Sequence, residues 1–129
     1  MNQLESFHIA TTRTTPEINF DGERRLLEFR GVSSPENTME FYRPIFELVE
    51  QIASDSDPKL HLDMKLVHFN SSSAKVLFDL LQKVEAELQD GEAKVDWYCD
   101  EDDDDMIEAA EDFSDLLDLE INILIKEEI

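Results

Sequence analysis

Cysteine, glycine and positive charge are all scarce in this chain, and each scarcity removes a class of function. Cys99 is the only cysteine among the 129 residues, so no disulfide can close within one chain and no thiolate metal cluster can form there, which suits a reducing compartment. Three glycines are too few for a glycine-rich phosphate loop, and neither a GxSxG nucleophile elbow nor an HExxH zinc pair occurs. Eleven Lys and Arg stand against 32 Asp and Glu, a formal charge of -21. Such a surface repels nucleic acid and anionic membrane and suits a partner protein with a basic face. No run approaches the roughly 20 apolar residues that span a bilayer, and Met1 to Thr12 lacks a basic start followed by an apolar stretch. A soluble, cytoplasmic protein is expected, with no membrane or nucleic-acid partner and no cofactor.

Strong acidity can also mean disorder, but eight Phe, one Trp and two Tyr within 41% hydrophobic content argue for a packed core. At this length one domain, residues 1–129, is the expectation. Short strands are expected around Phe7 to Ala10 and Glu17 to Phe20, then a turn at Asp21-Gly22 and a strand from Arg24 to Arg30 ending at Gly31, an antiparallel start. Ser33, Ser34, Pro35 and Glu36 have the composition of a helix opening. Tyr42, Ile45, Phe46, Val49, Ile52 and Ala53 then form one apolar face, widened by Phe41 and Leu48. So broad a band implies burial on two sides or a partner surface, and a homodimer or hetero-complex is one way to cover it. Pro44 lies inside the pattern and predicts a kink or restart.

Leu60, Leu62, Met64 and Leu66 alternate with His61, Asp63, Lys65 and Val67, as in a strand with one face in the core. A helix carrying Leu77, Leu80, Leu81, Val84 and Leu88 follows and should stop at Asp90-Gly91. A strand over Ala93 to Cys99, a helix through Met106, Ala110, Phe113 and Leu117, and a last strand at Ile121 to Ile125 complete the pattern. Strand, helix, strand, helix, strand over the second half predicts right-handed crossovers between parallel strands. The fold class is therefore α/β, a mixed sheet with about three helices.

The junction at Asn70, Ser71, Ser72 and Ser73 puts three hydroxyls where a helix begins. Helix starts leave N–H groups unpaired and carry positive partial charge, so a hydroxyl there can cap, and a phosphorylated one is tolerated. Read locally, the same residues make a turn with Ser72 as the structural cap. The six consecutive acids from Asp100 to Asp105 lack the glycine and ligand spacing of a calcium loop and read as a solvated helix N-terminus able to dock a basic surface. His8, His61 and His68 read as isolated structural or surface residues, and Cys99 as a small buried one.

Five phrases carry a resemblance: Thr15-Pro16-Glu17-Ile18, Pro35-Glu36-Asn37, Phe69-Asn70-Ser71-Ser72-Ser73, Trp97-Tyr98-Cys99-Asp100, and Asp105-Met106-Ile107-Glu108-Ala109-Ala110-Glu111-Asp112-Phe113. In this order, over nearly the whole chain, they resemble the SiaC-type regulatory phosphoproteins of bacteria, small proteins similar in fold to anti-sigma-factor antagonists of the STAS type. The resemblance implies a non-catalytic phosphoprotein acted on by a cognate serine/threonine kinase and a PP2C-type phosphatase. In the best-known system the unphosphorylated form binds and activates a diguanylate cyclase, a link to cyclic-di-GMP and biofilm formation. The family's acceptor, usually threonine, falls on Ser71, with Ser72 as the nearest rival. Cys99 stands where relatives often carry a second tyrosine. Two other classes stay open: an acidic mimic of nucleic acid that occupies a basic protein groove, and a metal-binding protein or metal-dependent enzyme using the Asp100 to Asp105 run.

Overall fold

The computed structural model describes residues 4–89 and 92–127. In chain order the elements are β1 (Phe7–Ile9), β2 (Glu17–Asp21), β3 (Leu26–Ser33), α1 (Thr38–Ala53), β4 (Leu60–Phe69), α2 (Ser71–Glu87), β5 (Ala93–Asp100), α3 (Asp104–Leu116) and β6 (Glu120–Lys126). The strands form one sheet in sequential order, β1-β2-β3-β4-β5-β6. The β1–β2 and β2–β3 pairs are antiparallel, and β3–β4, β4–β5 and β5–β6 are parallel. The mixed α/β expectation holds, with three helices and three parallel pairs.

Each parallel strand is followed by a helix and then by its immediate neighbour, always in the same direction across the sheet. Right-handed crossovers then put all three helices on one face. Alternation along the strands follows from this. Leu27, Phe29, Leu62, Met64, Val95 and Trp97 are completely buried beneath the helices. Their neighbours Glu28, Arg30, His61, Asp63, Lys65, Lys94, Asp96 and Tyr98 belong to the other face, which no helix covers. Tyr42, Ile45, Val49 and Ile52 of α1 and Leu77, Leu80, Leu81 and Val84 of α2 complete the core. Trp97 anchors the α3 side, with its ring 5.0 Å from that of Phe113 and 6.3 Å from that of Phe69.

Several local expectations are corrected. Strand β3 runs on through Gly31 to Ser33, because the β3–β4 register shifts between Gly31 and Val32 and leaves Val67 as an extra residue on β4. Gly31 has φ +113°, a conformation that glycine takes without the strain a side chain would add. Helix α1 accordingly opens later than the serines suggest. Its N-cap is Asn37, whose side chain accepts from the Glu40 N–H at 3.1 Å, while Ser33 is wholly buried in the strand. Pro44 neither ends nor restarts α1, which continues to Ala53. A proline inside a helix costs about 3 kcal/mol, and the buried face from Tyr42 to Ile52 offsets it. Helix α2 ends at Glu87 with Leu88 as its C-cap, and the expected stop at Asp90-Gly91 lies outside the described residues.

Candidate functional site

Since β3, β4 and β5 are parallel, the starts of α1, α2 and α3 all emerge at the carboxyl edge of the sheet. An Asx cap closes each one. Asn37 serves α1, Asn70 accepts from the Ser73 N–H at 2.8 Å, and Asp103 accepts from the Met106 N–H at 3.0 Å. Capping of this kind satisfies N–H groups that have no partner within the helix. Ser72 is therefore not the cap of α2; Asn70 takes that role.

The three serines part company in the first turn of α2. Ser73 is fully buried, and its Oγ lies 2.7 Å from Ser33 Oγ, which in turn lies 2.6 Å from the Tyr42 hydroxyl. This relay ties the end of β3 and the body of α1 to the start of α2, reinforced by the Asn70 N–H donating to the Ser33 carbonyl at 3.1 Å. Burial pushes the Tyr42 phenol up to about 12, with the Ser33 hydrogen bond pulling the other way. Ser71 and Ser72 are exposed instead. The junction thus presents two free hydroxyls on a helix start whose backbone is held from beneath, and Ser73 belongs to the scaffold. Nothing in the β-strand pattern marks Ser33 as the centre of the relay; its bonds to Tyr42 and Ser73 reveal it.

The acid run behaves as a capped helix start. Asp103 is the cap, Asp104 and Asp105 occupy the first turn of α3, and Asp100 accepts from the Asp102 N–H at 3.0 Å. Its carboxylates serve the backbone and the helix dipole. Among the described residues, the group whose ligand atoms converge as a metal would require is His61, Asp63 and Asp96, not this run. His61 is therefore not isolated. Its Nε2 lies 2.8 Å from Asp96 Oδ2 and 3.1 Å from Asp63 Oδ1, on the uncovered sheet face. Burial raises the Asp63 carboxyl above its ordinary range. Asp96 is pushed the same way by burial, but hydrogen bonds from Asn122 and His61 outweigh it and hold its carboxyl below that range. Beside them Lys65 donates to Glu28 at 2.8 Å and sits 5.0 Å above the Tyr98 ring. His8 bonds Glu17 at 2.9 Å, and His68 is exposed. Cys99 is fully buried, and burial pushes its thiol up to about 11, as expected of a small core residue.

A mixed sheet covered on one face, with three capped helix starts along one edge and exposed hydroxyls at the middle one, defines a small α/β protein with an accessible helix-start site. A family model described as SiaC family regulatory phosphoprotein matches residues 9–126, and the chain belongs to the SiaC family. A protein of Pseudomonas aeruginosa strain UCBPP-PA14 with no characterised role is 32% identical over 111 residues, covering 85% of this chain and 88% of that one. The crystal structure of apo-SiaC from Pseudomonas aeruginosa superposes with a TM-score of 0.84 at 30% identity, covering 94% of this chain and 99% of that one. A chain in the crystal structure of the diguanylate cyclase SiaD in complex with its activator SiaC, also from Pseudomonas aeruginosa, superposes with a TM-score of 0.86 at 30% identity, covering 93% and 99%. Among the described residues no helix is long and apolar enough to cross a membrane.

Proposed function

We propose that this chain is a non-catalytic switch of the cytoplasm whose docking to a diguanylate cyclase depends on whether Ser71 carries a phosphate. A cognate serine/threonine kinase adds the group, a PP2C-type phosphatase removes it, and the module feeds cyclic-di-GMP signalling and biofilm formation. The observation that carries the reading is the split among the hydroxyls: Ser73 is locked inside, while Ser71 stands exposed at the first position of α2. The complex between SiaC and the cyclase SiaD in Pseudomonas aeruginosa supports a cyclase as the effector.

The physics favours signalling through the interface over signalling through the fold. A phosphate brings about -1.5 to -2 charges and three acceptor oxygens. At its own helix start it is welcome, by about 0.3 to 1 kcal/mol, and the Asn70 cap and the Ser33 relay hold the backbone under it. Burying the same group against a partner without a cation costs several kcal/mol, and about 4 kcal/mol already weakens binding roughly a thousandfold. Ser71 modification therefore changes who can dock while leaving the scaffold in place.

Co-expression with its cognate serine/threonine kinase, followed by intact-mass and peptide mapping, should find one phosphate on Ser71. That phosphate should vanish in Ser71→Ala and persist in Ser72→Ala. Calorimetry against the cyclase should then show Ser71→Ala binding and Ser71→Asp binding far more weakly. Equal affinity of the two variants would rule out the mechanism.

A further inference from the structure

The uncovered sheet face carries a cluster that the phosphorylation switch does not use. Register places Glu28 opposite Asp63 and Asp63 opposite Asp96, so three carboxylates lie side by side across β3, β4 and β5. Like charges directly across a ladder oppose one another, and Lys65 gives its hydrogen bond to Glu28. His61, two residues before Asp63 on the same face of β4, brings Nε2 to 2.8 Å from Asp96 Oδ2 and 3.1 Å from Asp63 Oδ1.

One proton cannot serve both acids. An imidazole Nε2 bears at most one hydrogen, and its shorter contact is the one to Asp96. Asp63 is only 8% exposed, and its Oδ1, buried beside that nitrogen, has no hydrogen-bond partner. A buried carboxylate oxygen in this position is expensive and calls for a cationic neighbour. The three ligand atoms, one each from His61, Asp63 and Asp96, lie within 4.8 Å of one another. Around zinc, N and O donors sit about 2.0–2.2 Å from the metal, which puts neighbouring ligand atoms roughly 3.3 Å apart. The two His61 contacts, at 2.8 and 3.1 Å, need open by only about half an ångström or less to reach that spacing. Asp96 is already oriented by Asn122, whose Nδ2 donates to its other oxygen at 3.1 Å, as second partners orient carboxylates around metals.

We propose that His61, Asp63 and Asp96 form a binding site for one divalent cation of zinc's chemical class. One nitrogen and two oxygens select a borderline ion over calcium or magnesium, which prefer all-oxygen shells. Water completes the coordination from the open side, where the His61 side chain is 33% exposed. The ion would take the place of the Nε2 hydrogen and give the orphaned Asp63 oxygen its partner.

The test is calorimetry of the chelator-treated full chain with Zn2+, repeated with Mn2+, Mg2+ and Ca2+, on the native protein and on His61→Ala, Asp63→Asn and Asp96→Asn. One equivalent of Zn2+ should bind, at least tenfold more weakly in each variant, and Zn2+ should raise the melting temperature of the native chain alone. In the native chain the His61 ring signals should move in NMR as the first equivalent is added. Asn122→Ala keeps all three ligands and should weaken binding by about tenfold or more. Absence of saturable one-equivalent binding, unchanged binding in the variants, still His61 signals, or equal affinity for Mg2+ and Ca2+ would each overturn the site.

Discussion

The two faces of the sheet use alternate residues of the same strands for opposite purposes. Beneath the helices Leu27, Phe29, Leu62, Met64, Val95 and Trp97 are wholly buried, and what matters there is volume and fit. On the other face Glu28, His61, Asp63, Lys65 and Asp96 form short charged contacts of 2.8 to 3.1 Å, where partner identity matters more than size. Stability should reside on the first face and cation binding on the second, while partner docking belongs to the rim where α2 begins.

The largest effect expected from this contrast is at Trp97. Trp97→Ala should cost about 3 to 5 kcal/mol in chemical denaturation, from lost burial plus the cavity left between Phe69 and Phe113; a loss below 1 kcal/mol would break the contrast. Ser33→Ala comes next, at about 1 to 3 kcal/mol, because it strips partners from the buried Tyr42 and Ser73 hydroxyls together. Asn70→Ala, the loss of one cap, should cost about 1 kcal/mol. Ser71→Ala should change stability by less than about 0.5 kcal/mol while abolishing phosphate uptake, so that the relay serine Ser33 and the switch serine Ser71 separate in one denaturation series. Cys99 gives the smallest readout: with its thiol pushed up to about 11, iodoacetamide at pH 8 should leave it unmodified in the folded protein and label it promptly in denaturant.

The covered face could be read from the chain alone because burial on one side of a strand writes a period of two, and burial of one helix stripe a period near 3.6. Leu60 to Leu66, Leu77 to Leu88 and Ala93 to Cys99 carry these periods, and their order implies parallel crossovers. Helix starts were less legible. Ser33-Ser34-Pro35-Glu36 has the composition of a capping segment, yet the shift at Gly31 carries β3 on to Ser33 and Asn37 becomes the cap. At Pro44 a kink or a restart was expected, and α1 runs on without a restart because a whole buried helix face outweighs the local penalty. Of the hydroxyl site, the position at a helix start was legible. The division between exposed Ser71 and buried Ser73 was not, since it depends on which way α2 leans over β3. The His61, Asp63 and Asp96 group was invisible, because its members lie 35 residues apart at the closest cross-strand bond and meet only through strand register.

The surplus residue on β4 has a consequence of its own. With Val67 counted out of the pairing, Val67 and His68 both turn to solvent and Phe69 swings under the helices to meet Trp97. Were Val67 paired in regular alternation opposite Val32, that ring would turn outward, its berth would pass to His68, and Asn70 would stand one step further past Ser33. A single off-beat in the ladder therefore sets the phase in which the serines arrive at the rim.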